Sequence, residues 1–208
     1  MTGLHDKMIG KWYMVFRKSM ALFLQNYEAT HKLGGAGYTV EIDESSFKRK
    51  RKYNRGAYDG ESQWVFGITE RGGDGRKETR FWLVPDRKRQ TLFPLIFANV
   101  EPGTTIMSDS YATYETLREH NNYLHLQINH SISFTDGNVH TQSIEAKWSG
   151  AKGSLNRGGR TRHKYIQLKL DEYIVRQLLF KGNQDKAFHR LGRILARYGV
   201  VAKRQLEQ

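Results

Sequence analysis

The chain contains no cysteine among its 208 residues. That excludes disulfides, thiolate zinc sites and thiol catalysis, and leaves the redox compartment open. It also lacks any run approaching the roughly 20 apolar residues that a membrane-spanning helix needs, so no membrane partner is expected. The opening M-T-G-L-H-D-K has no apolar centre of the kind a secretory leader carries, and an intracellular protein is expected. No G-x-S-x-G elbow supports a serine hydrolase, and no aromatic RNA-recognition motif supports RNA binding. Acids are outnumbered: 21 Asp+Glu face 34 Lys+Arg, for a net charge of +13. Clustered basic charge of this size favours a polyanionic partner, most simply nucleic acid; a basic ribosome-associated factor is the bland alternative.

What is present is patterned. Trp12, Phe16, Met20, Phe23 and Tyr27 recur at three- and four-residue spacing and predict an amphipathic helix from about Lys7 to Tyr27. K-L-G-G-A-G at 32–37 then breaks it, and because it precedes a strand it is not a phosphate-binding loop. Strands are predicted over Tyr38–Asp43, Gln63–Thr69, Thr79–Val84, Thr104–Asp109 and Leu124–Asn129. A helix is predicted over Gln90–Val100, where Pro94 is harmless only in the first turn, and a short one over Tyr111–His120. Further helices cover His140–Lys152, Asp171–Phe180 and Asp185–Arg204, the last with Phe188, Leu191, Ile194, Leu195 and Tyr198 on one side. Three meandering strands followed by alternating helices and strands predict an α/β fold. It is a mixed five-stranded sheet flanked by helices, with N- and C-terminal helices, in the order of the RNase-H-like fold.

Three acids stand out by placement. Asp43 ends the apolar run Y-T-V-E-I-D, Asp109 ends T-T-I-M-S-D, and Glu145 is the lone acid of the helix at 140–152. A charge at the end of a buried strand is costly without a cation or partner. Magnesium prefers oxygen donors, and two such ions about 3.5–4 Å apart activate one oxygen and stabilise another at a phosphodiester. Glu41 and Glu44 flank Asp43, and strand alternation puts Glu41 on the face of Asp43, so pattern leaves the first ligand open. In a chain with 21 acids a chance trio is the competing reading. Lys152, seven residues after Glu145, falls on the same helix face. The run Lys48, Arg49, Lys50, Arg51 and Lys52 is a solvated loop able to meet phosphates or to do nothing specific; nuclear targeting is a further use. Arg157, Arg160, Arg162 and Lys164 lie in a glycine-punctuated basic stretch. His125, His130 and His140 are read as structural or DNA-contacting ahead of acid–base groups.

The motifs V-E-I-D-E-S (40–45), R-K-Y-N-R-G (51–56), W-V-F-G-I (64–68), V-P-D-R (84–87), P-G-T-T-I-M-S-D-S-Y-A-T-Y (102–114), N-H-S-I-S-F (129–134) and H-T-Q-S-I-E-A-K-W (140–148) occur in order. Together they resemble the ISXO-two-like, Merlin-related DDE transposase domain, from about Gly34 to Phe180. The resemblance implies an RNase-H-like catalytic domain that uses Mg2+ or Mn2+ to cut the phosphodiester at a transposon end, after which the freed 3′-hydroxyl attacks target DNA. It places the catalytic, metal-holding residues at Asp43, Asp109 and Glu145, and a DNA contact at Lys152. The basic residues 48–52, Arg157, Arg160, Arg162 and Lys164 become further candidate contacts with double-stranded DNA, and His130, His140 and Gln142 auxiliary candidates. Some relatives have asparagine in the third-ligand region, where this chain has Gln142. The implied organisation is an N-terminal helical segment (1–33), a catalytic domain (34–180) and a basic C-terminal helix (181–208). A homo-oligomer on DNA is expected, in the nucleus of a eukaryote or the nucleoid of a bacterium. Complete relatives usually add a cysteine zinc ribbon and a helix-turn-helix, so a truncated, split or domesticated copy is an expectation. The alternative function is a non-catalytic, transposase-derived DNA-binding protein.

Overall fold

The computed structural model describes residues 6–47, 63–71, 78–120, 122–128, 142–156, 163–179 and 184–207. They form two compact units, residues 32–163 and residues 1–31 with 164–208.

The first unit is built on a sheet. Its strands are β2 (Thr39–Phe47), β3 (Gln63–Arg71), β4 (Thr79–Val84), β6 (Thr105–Asp109) and β7 (Leu124–Ile128), in the spatial order β4-β3-β2-β6-β7. The first three form an antiparallel meander. β6 then pairs parallel to β2, and β7 parallel to β6. Crossovers connect the parallel pairs: α2 (Arg89–Asn99) precedes β6, and a 3-10 helix (Ala112–Glu119) precedes β7. This is the mixed, helix-flanked sheet of an RNase-H-like fold. A two-residue parallel bridge between β1 (Leu33–Gly34) and β5 (Val100–Glu101), too short to leave a hydrophobic pattern, was not expected. The glycine run around it does what its composition implies: Gly34, Gly35 and Gly37 all take positive φ.

Both faces of β2 are covered at its start, where Val40, Glu41 and Ile42 are all buried. One face carries Val40, Ile42, Phe66, Ile68 and Ile106 against Leu92, Phe93 and Ile96 of α2 and against Tyr114 and Leu117. Pro94 lies inside α2, past its first turn. The carbonyl left without its amide partner is that of exposed Gln90, where water can satisfy it, while the buried Leu92, Phe93 and Ile96 hold the helix. The other face receives α3 (Gln142–Asn156). Its buried residues Ile144, Trp148, Ala151 and Leu155 repeat at four, three and four, one stripe of a helix. Burying each of the three larger ones contributes about 2 kcal/mol.

The second unit packs α1 (Asp6–Thr30), α4 (Ile166–Leu179) and α5 (Gln184–Glu207) together. Its buried stripes differ from the sequence expectation. The expected Met20 and Ile194 are buried, but Trp12 and Phe188 are 54% and 78% exposed, and Val15, Ala21, Leu24, Ala187 and Ala202 are buried as well. Alanines let helix backbones approach closely, and a reading weighted by side-chain size overlooks them. Arg17 binds Glu172 of α4 at 2.7 Å, and Lys18 reaches the Gln205 carbonyl at 2.9 Å. Among the described residues no helix is long and apolar enough to cross a membrane.

Candidate active site

Strand register brings the first two acids together. Val40 pairs with Ile106 and Glu41 with Met107 in the parallel ladder of β2 and β6. Continuing two residues along both strands puts Asp43 beside Asp109, at the same end of the sheet and on the same face. α3 covers that face. Its Trp148 indole N–H donates to Asp43 Oδ2 at 2.8 Å, and the ring stacks on Phe81 with centroids 4.4 Å apart. The strand position beneath it is Gly67, paired with both Asp43 and Phe81. A Cβ there would lie 2.8 Å from the indole and 2.9 Å from Phe81, so only glycine lets the indole lie against the sheet.

Glu145 sits one turn before Trp148, in the first turn of α3, on the exposed side of the helix. Its charge reaches Asp43. Burial, followed by smaller pushes from Asp109 and Glu145, raises the Asp43 carboxyl from 3.8 to about 6, against the pull of the Trp148 and Glu44 N–H groups. The Glu44 backbone N–H donates to Asp43 Oδ1 at 2.8 Å, and the Tyr111 N–H donates to Asp109 Oδ1 at 3.1 Å. Each aspartate is therefore oriented by a neutral donor that leaves oxygen lone pairs open.

The structure separates the acids that pattern left equivalent. Glu41 is fully buried. Its Oε2 accepts the backbone N–H of Ile144 at 2.9 Å, and its Oε1 lies 2.8 Å from Arg71 Nε. It caps the N-terminus of α3, where unsatisfied N–H groups favour a carboxylate. It is thus committed to docking the helix. Glu44 points to the opposite face and accepts a short hydrogen bond from Tyr114 Oη. Burial, then Asp43 and Asp109, raise it from 4.5 to about 8, with Arg87 opposing. These partners were missed from sequence, although the alternation Glu41–Asp43 and the i,i+3 spacing of Glu145 and Trp148 carried the signal.

Asp43, Asp109 and Glu145 suit a hard divalent cation in kind, since all are oxygen donors and their mutual repulsion is relieved by positive charge. Among the described residues no three acidic or histidine side chains are gathered closely enough to enclose an ion. Lys152 is exposed on α3, its Nζ 5.5 Å from the centre of the Phe47 ring. Phe47 in turn meets the Trp148 edge, so the lysine lies on the flank of the same group. Gln142 is the exposed first residue of α3. Lys164 is exposed in a short 3-10 helix of the helical unit, its Nζ over its neighbour Tyr165. His125 is buried, bonded to Ser108 Oγ at 2.9 Å. Burial and then Arg118 push it down to about 4, which keeps it neutral and fits a structural role. Lys48, Arg49, Lys50, Arg51, Lys52, Arg157, Arg160, Arg162, His130 and His140 lie outside the described residues.

Comparison with known proteins agrees with this picture at the level of family. The chain is similar to an uncharacterized transposase-like protein of Haemophilus influenzae, 28% identical over 90 residues that span 43% of this chain and 72% of that one. Among solved structures it is similar to a chain of the simian T-cell lymphotropic virus intasome in complex with PP2A regulatory subunit B56 gamma. There the identity is 11% and the TM-score 0.43, over 67% of this chain and 50% of that chain. Residues 32–181, most of the chain and all of the sheet unit, match the ISXO2-like transposase domain, and the protein belongs to that family.

Proposed function

We propose that the chain is a DDE transposase that cuts DNA at transposon ends and joins the freed 3′-hydroxyl to target DNA, with Asp43, Asp109 and Glu145 holding Mg2+ or Mn2+. Family membership supports a transposase-related function. The observation that carries the finer reading is the approach of Asp43, midway along β2, to Asp109 at the end of the neighbouring β6, with Asp109 and Glu145 both near enough to add their repulsion to Asp43. Divalent ions, when bound, supply activation of the attacking oxygen and stabilisation of the leaving one. The chain's own part is positional. Trp148 and the Glu44 amide fix the Asp43 carboxylate, the Tyr111 amide fixes that of Asp109, and Glu41 with Arg71 fixes the helix that carries Glu145. Lys152 and the basic residues 48–52, Arg157, Arg160, Arg162 and Lys164 are assigned to the DNA backbone, consistent with the net charge of +13. Self-association on DNA belongs to the same proposal.

The test uses a duplex carrying the inverted repeats that bracket the gene, incubated with purified protein and Mg2+ or Mn2+. Nicking and strand transfer are expected, lost with a chelator, and reduced at least about a hundredfold by Asp43→Asn or Asp109→Asn. Wild-type rates in either variant would refute the assignment. Salt-sensitive binding without cleavage, unchanged by both substitutions, would instead identify a DNA-binding derivative.

A further inference from the structure

At the same end of the sheet, on the face opposite α3, one cation is held in a way the proposed metal site does not use. Arg87 follows β4, whose last residue Val84 pairs with Trp64, itself paired with Ser46 near the end of β2. Its guanidinium carbon is 4.0 Å from the centre of the Trp64 ring and 4.7 Å from that of Tyr111. Trp64 pairs with Val84 at the strand end, and Tyr111 is the residue whose amide orients Asp109. The Arg87 carbonyl accepts the Thr113 hydroxyl at 3.3 Å. Both the backbone and the side chain of this arginine are therefore held in place, within electrostatic reach of Glu44.

Among the described residues no hydrogen bond or ion pair engages the guanidinium, which feels Glu44 only through space. Glu44 takes its hydrogen bond from Tyr114 instead. Were Arg87 present only to neutralise Glu44, a direct fork between guanidinium and carboxylate would be the expected geometry. Contact with two aromatic rings stabilises the cation and restricts its rotation. The planar fork is then ready for a ligand with paired acceptor oxygens, at little further loss of side-chain entropy.

We propose that Arg87 is a DNA-backbone contact, its guanidinium held by Trp64 and Tyr111 to bind one phosphate of the strand that passes over the acids. This rests on the DNA-processing reading above, and it adds a residue on the far face of the sheet, outside the basic stretches at 48–52 and 157–164. Because Tyr111 touches Arg87 with its ring and orients Asp109 with its amide, a phosphate bound here would set the register of the strand at the site.

The experiment measures binding of the full chain to a terminal-repeat duplex by fluorescence anisotropy across a KCl series. Wild type, Arg87→Gln and Arg87→Lys are compared on unmodified DNA and on duplexes with a single neutral methylphosphonate at successive positions. Arg87→Gln should weaken binding about tenfold at about 100 mM salt and lower the salt slope by about one. One methylphosphonate position should weaken wild type yet leave Arg87→Gln unaffected. Wild-type affinity and slope in Arg87→Gln, or equal losses in both proteins at every methylphosphonate, would overturn the proposal. Should Arg87→Gln melt below the assay temperature, Arg87→Lys decides. It keeps the charge beside Glu44 and should lose affinity several-fold at unchanged slope, whereas wild-type affinity would overturn the contact. Cleavage by wild type is scored in parallel: protein that binds but does not cut refutes the transposase reading while the phosphate contact is still judged from binding alone.

Discussion

Each of the two units encloses two closely spaced carboxylates and treats the members of the pair in opposite ways. In the helical unit Glu172 is bonded by Arg17 and Arg176, which outweigh its burial and lower its pKa. Among the described residues, the side chain of its neighbour Asp171 has only the Gln167 amide, at 2.7 Å, and burial raises it to about 6. In the sheet unit Glu41 is matched by Arg71 and a helix N-terminus, while Asp43 is raised to about 6. The two raised aspartates look alike by value, yet their causes differ. Asp171 is raised by desolvation alone. Asp43 is raised also by Asp109 and Glu145, two more acids brought to it from separate stretches of chain. A raised carboxyl therefore marks burial, and it is the company of other acids that singles out Asp43 as part of the proposed site.

Three substitutions test that contrast, from the largest effect to the smallest. Glu41→Gln keeps an acceptor for the Ile144 amide and removes the buried carboxylate charge 2.8 Å from Arg71 Nε. A loss of about 3 kcal/mol is expected in urea unfolding. A change under about 0.5 kcal/mol would mean that Glu41 does not anchor α3 and would return it to the list of candidate ligands. Next comes Gly67→Ala, whose methyl group meets the Trp148 and Phe81 rings. It should cost about 2 kcal/mol and raise the fluorescence exposure of the indole. DNA cleavage should fall further than stability alone explains, because Glu145 shifts with the helix.

The smallest effect concerns Asp171, where a neutral amide removes the charge that burial disfavours. Its folded pKa of about 6 lies above the ordinary 3.8, so the folded state binds the proton more tightly. The resulting destabilisation is absent below about pH 4, grows as pH rises towards 6, and is complete above it. Asp171→Asn should therefore stabilise the protein by about 1 kcal/mol at pH 7, with the gain disappearing near pH 4 and DNA cleavage unchanged. Equal melting temperatures of the two proteins at pH 7 would show that Asp171 carries no such strain.

Local pattern was enough for most elements. β4 falls on its predicted span, β3 begins where expected, and β6, β7 and α5 lie within a few residues of theirs, because apolar periodicity and β-branched runs are local properties. Where the pattern failed, competing tertiary terms were responsible. The β1–β5 bridge depends on a pairing distant in sequence, and Phe188 is exposed while Ala187 and Ala202 of the same helix are buried.

By itself the sequence determined the order of strands and helices, the net basic charge, and three acids placed on two strands and a helix, since each follows from residue type and spacing; that β2 runs on past Asp43 to Phe47 was not legible in it. Only the tertiary structure decided among them. Parallel register set Asp43 beside Asp109, a glycine under an indole docked α3, and Arg71 with a helix N-terminus claimed Glu41. Spacing along one strand cannot tell an acid that has a partner from one that lacks it. That depends on which side chains other segments bring within a few ångströms, where a buried charge is either matched or left to repel its neighbours.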